Sequence, residues 1–198
     1  MPFRLALVVV VAVMALGCVA CSQSHDLAVP ANGCAASINE RLDPRSTIHL
    51  FSPAIQPHYL TDPPTSGPHR PGPPYTGVVT APIPRPSQVA MLESGYIILQ
   101  DQGLPAAQKT ALDAFAGTLV TVAPPVDTLP SAVVATAWTW KLECGAVTPS
   151  AEGDIRAFIA AHKGVGFFGN KLPQFIPAPA PSTTPTSQIR ISGIPQVF

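Results

Sequence analysis

Between residues 87 and 163 the chain alternates between two hydrophobic periods. Gly95–Gln100 (GYIILQ) is a compact run of β-favouring residues set between a glycine and Asp101-Gln-Gly103, which predicts a buried strand. From Leu104 the apolar positions 104, 107, 111, 112 and 115 recur at helical spacing as far as Gly117, with Pro105 tolerated in the first turn. Thr118–Ala123 reads as a second strand, stopped by Pro124-Pro125. Ala132–Glu143, with Val133, Val134, Trp138, Trp140 and Leu142, reads as a third and longer one. Ser150 then caps a helix in which Ile155, Phe158, Ile159 and His162 share one face, and Gly164 ends it.

The order strand, helix, strand, strand, helix predicts an α+β fold: a small three- or four-stranded mixed sheet with two helices on one face. The helix between the first two strands lets them run parallel, and the short connection 124–131 favours antiparallel pairing of the second and third. The flanks carry no such period. Residues 21–46 read as an irregular lead-in with one short helical candidate, Ala35–Arg41, and Thr47–Phe51 is a short-strand candidate. From Pro53 to Pro86 the PP, GP and RPGPP clusters predict a long proline-rich loop. Gly164–Gly169 reads as an apolar packing lid, and 173–198 as a Pro/Ser/Thr-rich disordered tail. The expected division is a targeting segment at 1–20, the lead-in at 21–46, one domain at 47–172 and the tail.

Composition sharpens this picture. The chain has 25 prolines, concentrated in 53–86 and 173–195, and proline is excluded from continuous helix and central strand. Eleven basic and eleven acidic residues give zero net charge, so no basic field exists to hold nucleic acid. Arg4 followed by the apolar run Leu5–Leu16 has the outline of a signal peptide, and the run falls short of the ~20 apolar residues of a membrane span. Val19-Ala20-Cys21 resembles a lipobox, with Cys21 as the lipidated residue and Cys18 as the alternative; cleavage to a soluble secreted protein is the other reading. Lipid would tie the chain to a membrane surface. Export leaves Cys34 and Cys144 as one pair, for which a disulfide is the default.

The chemistry lies in two blocks, His58-Tyr-Leu-Thr-Asp-Pro-Pro-Thr-Ser-Gly-Pro-His69 and Val89-Ala-Met-Leu-Glu-Ser-Gly-Tyr96. The first resembles the signature of the bacterial DUF3105 family, whose members usually read PPTSGPH and then VHxLEHG. His49, Tyr59, Ala137-Trp138 and Phe158-Ile159 extend the resemblance over roughly 47–164. It implies a metal-ligand set drawn from the histidines of both blocks. Here Ala90 and Ser94 stand where the second block carries histidines, while His49, His69 and Glu93 remain.

Two functional readings follow. One is a non-catalytic envelope lipoprotein with a degenerate metal site and no cofactor, which meets a ligand or protein partner on the 53–86 loop and the turn around Glu93. The other is a metal-binding or trafficking protein, or a metal-dependent enzyme, with zinc or copper in a rebuilt site of His49, His58, His69 and Glu93. Ser66 beside His69 raises a nucleophile–base pair, against the simpler reading of Ser-Gly-Pro as a turn. VAMLESG reads as the turn entering the first strand. Trp138 and Trp140, two apart on one strand, would share a face as core anchors or as an aromatic platform. His162 reads as a half-core histidine.

Overall fold

The computed structural model describes residues 28–167 and residue 169. The expected signal segment, Cys21 and the 173–198 tail lie outside the described residues. Within them the strands are β1 (Ile38–Asn39), β2 (Gly77–Val78), β3 (Ile97–Asp101), β4 (Val120–Ala123), β5 (Val133–Ala137) and β6 (Trp140–Cys144). They make one mixed sheet in the order β1-β6-β5-β3-β4-β2. The helices are α1 (Arg85–Glu93), α2 (Ala106–Asp113) and α3 (Pro149–His162). The α+β class holds, with six strands in place of three or four.

The centre of the sheet explains its sequence. β3 runs parallel to β4 and antiparallel to β5, and Ile97 to Gln100 are all buried, so it reads as a continuous apolar run rather than an alternation. Alternate residues of the strands feed two cores. Ile97, Leu99, Val120, Val122, Val133, Ala135, Leu142 and Cys144 pack on Leu112 of α2 and on Ile155 and Phe158 of α3. On the other face Ile98, Ala123 and Trp138 meet Val89, Met91 and Leu92 of α1 together with Ile83. Two helices do share one face, and a third covers the opposite one. Among the described residues no helix is long and apolar enough to cross a membrane.

Several local expectations are corrected. Val89–Gly95 is the end of a helix, not a turn: Pro86 sits in the first turn of α1, where its missing N–H costs nothing. The helix closes as a Schellman motif, with Tyr96 N–H donating to Met91 O and Gly95 N–H to Leu92 O, and Gly95 at φ 78°. Ala132–Glu143 is a hairpin rather than one strand. Ala137 faces Trp140 across a two-residue turn in which Thr139 has φ 59°, so Trp138 joins the α1 core and Trp140 the opposite face. There Trp140 stacks on half-buried His162 at 4.7 Å, with an interplanar angle of 29°. β4 and β5 do not pair; the 124–131 connection passes over the end of β3, which separates them. Ala35–Arg41 is not helical, since Ile38–Asn39 pairs with β6. Thr47–Phe51 makes a single parallel bridge, His49 to His69. The α3 cap is Thr148, which accepts from Ala151 N–H at 3.3 Å, not Ser150.

The proline-rich loop also departs from expectation, because residues 63–69 are all buried. That stretch belongs to the core, whereas residues 71–76 of the same loop are exposed. Its opposite anchor, the Cys34–Cys144 disulfide, ties the lead-in to β6 over 110 residues of sequence. Closing a loop of that length restricts the unfolded chain by about 4–5 kcal/mol in the chain-entropy model. Denaturant melts of Cys34→Ser/Cys144→Ser against the oxidised wild type are expected to show a loss of stability of that order; a change below about 1 kcal/mol would refute the account.

Candidate metal centre

The site begins with the loop that carries His69. Thr65 Oγ1 donates to Glu40 Oε2 at 2.6 Å, Thr65 O accepts from Thr139 N–H at 3.0 Å, and Ser66 Oγ accepts from Asp43 N–H at 2.9 Å. Tyr59 O–H donates to Pro68 O at 2.8 Å, and burial pushes that phenol well above its ordinary range, so it remains a donor. Gly67 (φ 129°) lets these groups close over the loop: a Cβ there would stand 2.9 Å from the Tyr59 ring and 3.2 Å from Asp43 Oδ2. Asp43 is held as an anion by the side chain of Arg45, which grips both carboxylate oxygens at 3.0 and 2.7 Å and lowers its pKa.

This loop fixes one imidazole. His69 is fully buried, and its Nδ1 lies 3.1 Å from Gly67 O. A carbonyl oxygen only accepts, so Nδ1 is the donor there; Nε2, which faces a carboxylate, can either carry a second proton as an imidazolium or offer its lone pair to a cation. Nε2 lies 2.8 Å from Glu93 Oε2, yet it makes no hydrogen bond in the direction a ring N–H would point. The contact calls for positive charge between ring nitrogen and carboxylate, which a proton on Nε2 or a metal cation held by both would supply.

Glu93 is the last residue of α1, one-quarter exposed at its side chain. The negative end of a helix dipole disfavours a carboxylate, and no basic residue occupies the last turn of α1 to offset it. His49 arrives from the extended segment before the loop. Leu50 N–H donates to His69 O at 2.7 Å and His69 N–H to Ile48 O at 3.0 Å, which sets the two histidine rings 4.7 Å apart and edge to face. One donor atom each from His49, His69 and Glu93 lies within 4.8 Å of the others. His69 is buried and His49 exposed, so the group opens to solvent on one side.

Of the four ligands expected from sequence, three converge. His58 does not join them; it is exposed, and its backbone carbonyl accepts from Arg45 at 2.6 Å. The Ser66–His69 pair is not formed, since Ser66 Oγ serves Asp43 and both His69 nitrogens are turned elsewhere. Ala90 lies one helical turn before Glu93, and Ser94 caps α1. A cleft of about 430 Å³ between α3 and residues 34–37, lined by Leu142, Asp154, Phe158 and His162, contains none of the three ligands. What the sequence reading missed was α1 itself, whose signals were Pro86 in a first turn and Gly95 as a helix stop.

No curated protein and no solved structure matches the chain. A family model does, over residues 53–167, more than half of the sequence; it takes in His69 and Glu93 and starts four residues after His49. The chain therefore belongs to the family described as protein of unknown function (DUF3105).

Proposed function

We propose that this chain is an exported metal-binding domain whose ion sits among His69, Glu93 and His49. The observation that carries the reading is the buried His69 Nε2 standing 2.8 Å from Glu93 Oε2 without a hydrogen bond. Two donors each about 2.1 Å from one ion, at roughly 85–110°, lie about 2.8–3.4 Å apart, so this pair already has ligand spacing. His49 is exposed, and its donor atom already lies within 4.8 Å of the other two. Two imidazoles and one carboxylate suit zinc or copper and leave an open position for water, an anion or a donor from a partner.

Isothermal titration of the purified, chelator-stripped protein with zinc and copper is expected to give one site with Kd below about 1 μM. His69→Ala and Glu93→Ala should each weaken it by roughly 100-fold, while His58→Ala leaves it unchanged. No uptake by the wild type would sink the reading. Gain of function is a stricter check. Ala90 and Glu93 are i,i+3 neighbours on α1, and the family pattern places an imidazole at position 90. Ala90→His should raise zinc affinity by about tenfold or more, and an unchanged Kd would mean that this helix face is turned away from the ion.

The Cys34–Cys144 disulfide supports an oxidising, exported location. With Cys21 as a lipid anchor, the domain would sit with its site away from the membrane. Residues 32 and 33 bond to Thr148 and Gly145 at the end of the sheet where β6 finishes, whereas Glu93 precedes the start of β3 at the other end. Cys21→Ser is expected to move the protein from the membrane to the soluble fraction and abolish labelling by fatty acid; unchanged fractionation would count against the anchor.

A second reading, a partner-binding domain without metal, rests on Leu42, Ile48, Phe51, Ile55 and Leu60, which are all exposed in the segment that carries His49. Phe51 is 90% exposed. A wild type that takes up no metal would favour this reading.

A further inference from the structure

We propose that Gly164–Phe167 is a positioning clamp that aims the Glu93 carboxylate at His69. The inference rests on the metal-centre reading and assigns a role to residues that touch no ion. After α3 the chain turns back across the end of α1. Gly164 N–H donates to Gly95 O at 2.8 Å, and Phe167 N–H donates to Glu93 O at 3.1 Å. The carbonyls of a last helical turn have no partner within the helix, so Phe167 satisfies one that belongs to the ligand residue itself.

The contact is closer than any side chain would allow. A Cβ on Gly166 would lie 2.0 Å from Glu93 O and 3.1 Å from Gly95 N, and a Cβ on Gly95 would lie 2.8 Å from the Gly164 carbonyl carbon. Backbone therefore packs directly on backbone at the residue that must hold the carboxylate. Phe167 anchors the far end, its ring edge-on to Trp138 at 5.5 Å and 86°. Trp138 is itself buried beside α1 in the second core, so the clamp is referenced to the rigid sheet.

The chemistry explains why a clamp is useful here. Glu93 lies at the negative end of α1 with no basic residue in the last turn, so a fraying helix would let the carboxylate swing to solvent and away from Nε2. Gly166 and Phe167 are thus positioning residues that act through Glu93. They close the family-matched region, which ends at Phe167.

A double-mutant cycle on zinc affinity of the full protein tests this, read by competition with a chromophoric chelator. Gly166→Ala is expected to lower zinc affinity by about tenfold or more, as loss of ligand orientation does, and, because its Cβ would meet Glu93 O at 2.0 Å, to lower the metal-free melting temperature too, so affinity is read well below that temperature. Phe167→Ala, which introduces no clash, should act in the same direction. In a Glu93→Ala background both losses should vanish, because the group they aim is gone. An equal loss in both backgrounds, or none in either, overturns the clamp. If the wild type takes no zinc, the metal reading fails, and the clamp is judged on the metal-free protein by the ¹⁵N shifts of the His69 imidazole. Gly166→Ala should then shift Nε2, and unchanged shifts overturn the inference.

Discussion

Everything at the candidate centre depends on a charged node buried between the sheet and the proline-rich loop. Lys141, only 5% exposed, pairs with Glu40 at 2.8 Å and donates to Asp62 O at 3.2 Å, while Glu40 takes the Thr65 hydroxyl on its other oxygen. Removing either charge would strand the other at a cost of roughly 3–5 kcal/mol. The reason for the node lies in the sheet. The face toward the loop carries Gln100, Thr121, Thr136 and Lys141, all buried, together with Glu143, whose carboxyl pKa is raised by burial more than Lys141 lowers it. α1 covers only the apolar part of this face, around Ile98, Ala123 and Trp138, and an apolar helix over the rest would leave these groups unpaired. The loop supplies partners to two of them, Asp62 O to Lys141 and Tyr75 O to Thr121, and proline holds it extended.

That solution determines how the ligands are held. His69 ends a loop whose hydrogen bonds reach Glu40, Asp43, Thr139 and Tyr59, so its ring has almost no freedom. Glu93 is held by the end of α1 and the segment that returns after α3. His49 shares only a short bridge with His69, and its side chain is exposed. The proposed centre thus has two preset donors and one adaptable one. Such a set binds an ion without first building the site and still leaves a side open for exchange.

The parts of this architecture that were legible in the sequence are those where local pattern and tertiary role agree. β3, β4, α2 and α3 carry uninterrupted periods, and the parallel pairing of β3 with β4 follows from the helix between them. The Cys34–Cys144 bridge followed from the expectation that Cys18 and Cys21 belong to a targeting segment, which leaves one pair. The misreadings share a cause: the deciding interaction is remote in sequence or confined to one residue. Thr139 turns a long β-rich run into a hairpin through a single left-handed residue that is not glycine. β1 exists only because β6 lies beside it. α1 was hidden because prolines surround its first turn and a buried Gln88 interrupts its apolar stripe. All four candidate ligands were named from the sequence and three converge; that His58 is left out depends on the buried 63–69 stretch, which local pattern did not reveal.

The gaps at 90 and 94 take on a different meaning once the anchors are known. Both positions belong to α1 or its cap, so the substitutions thin the donors of one element and leave the other two untouched. Had the ligands all come from one helix, losing two would have removed the geometry as well. Here the spacing between His69 and Glu93 is set by the loop on one side and the backbone of α1 on the other. The 2.8 Å approach of Nε2 to Oε2 is made without any donor from 90 or 94. A buried ring nitrogen facing a carboxylate at the C-terminal end of a helix calls for positive charge, which a proton or a cation supplies. An ion held in the proposed site by His69, Glu93 and His49 would be open to a fourth ligand on the side where His49 is exposed.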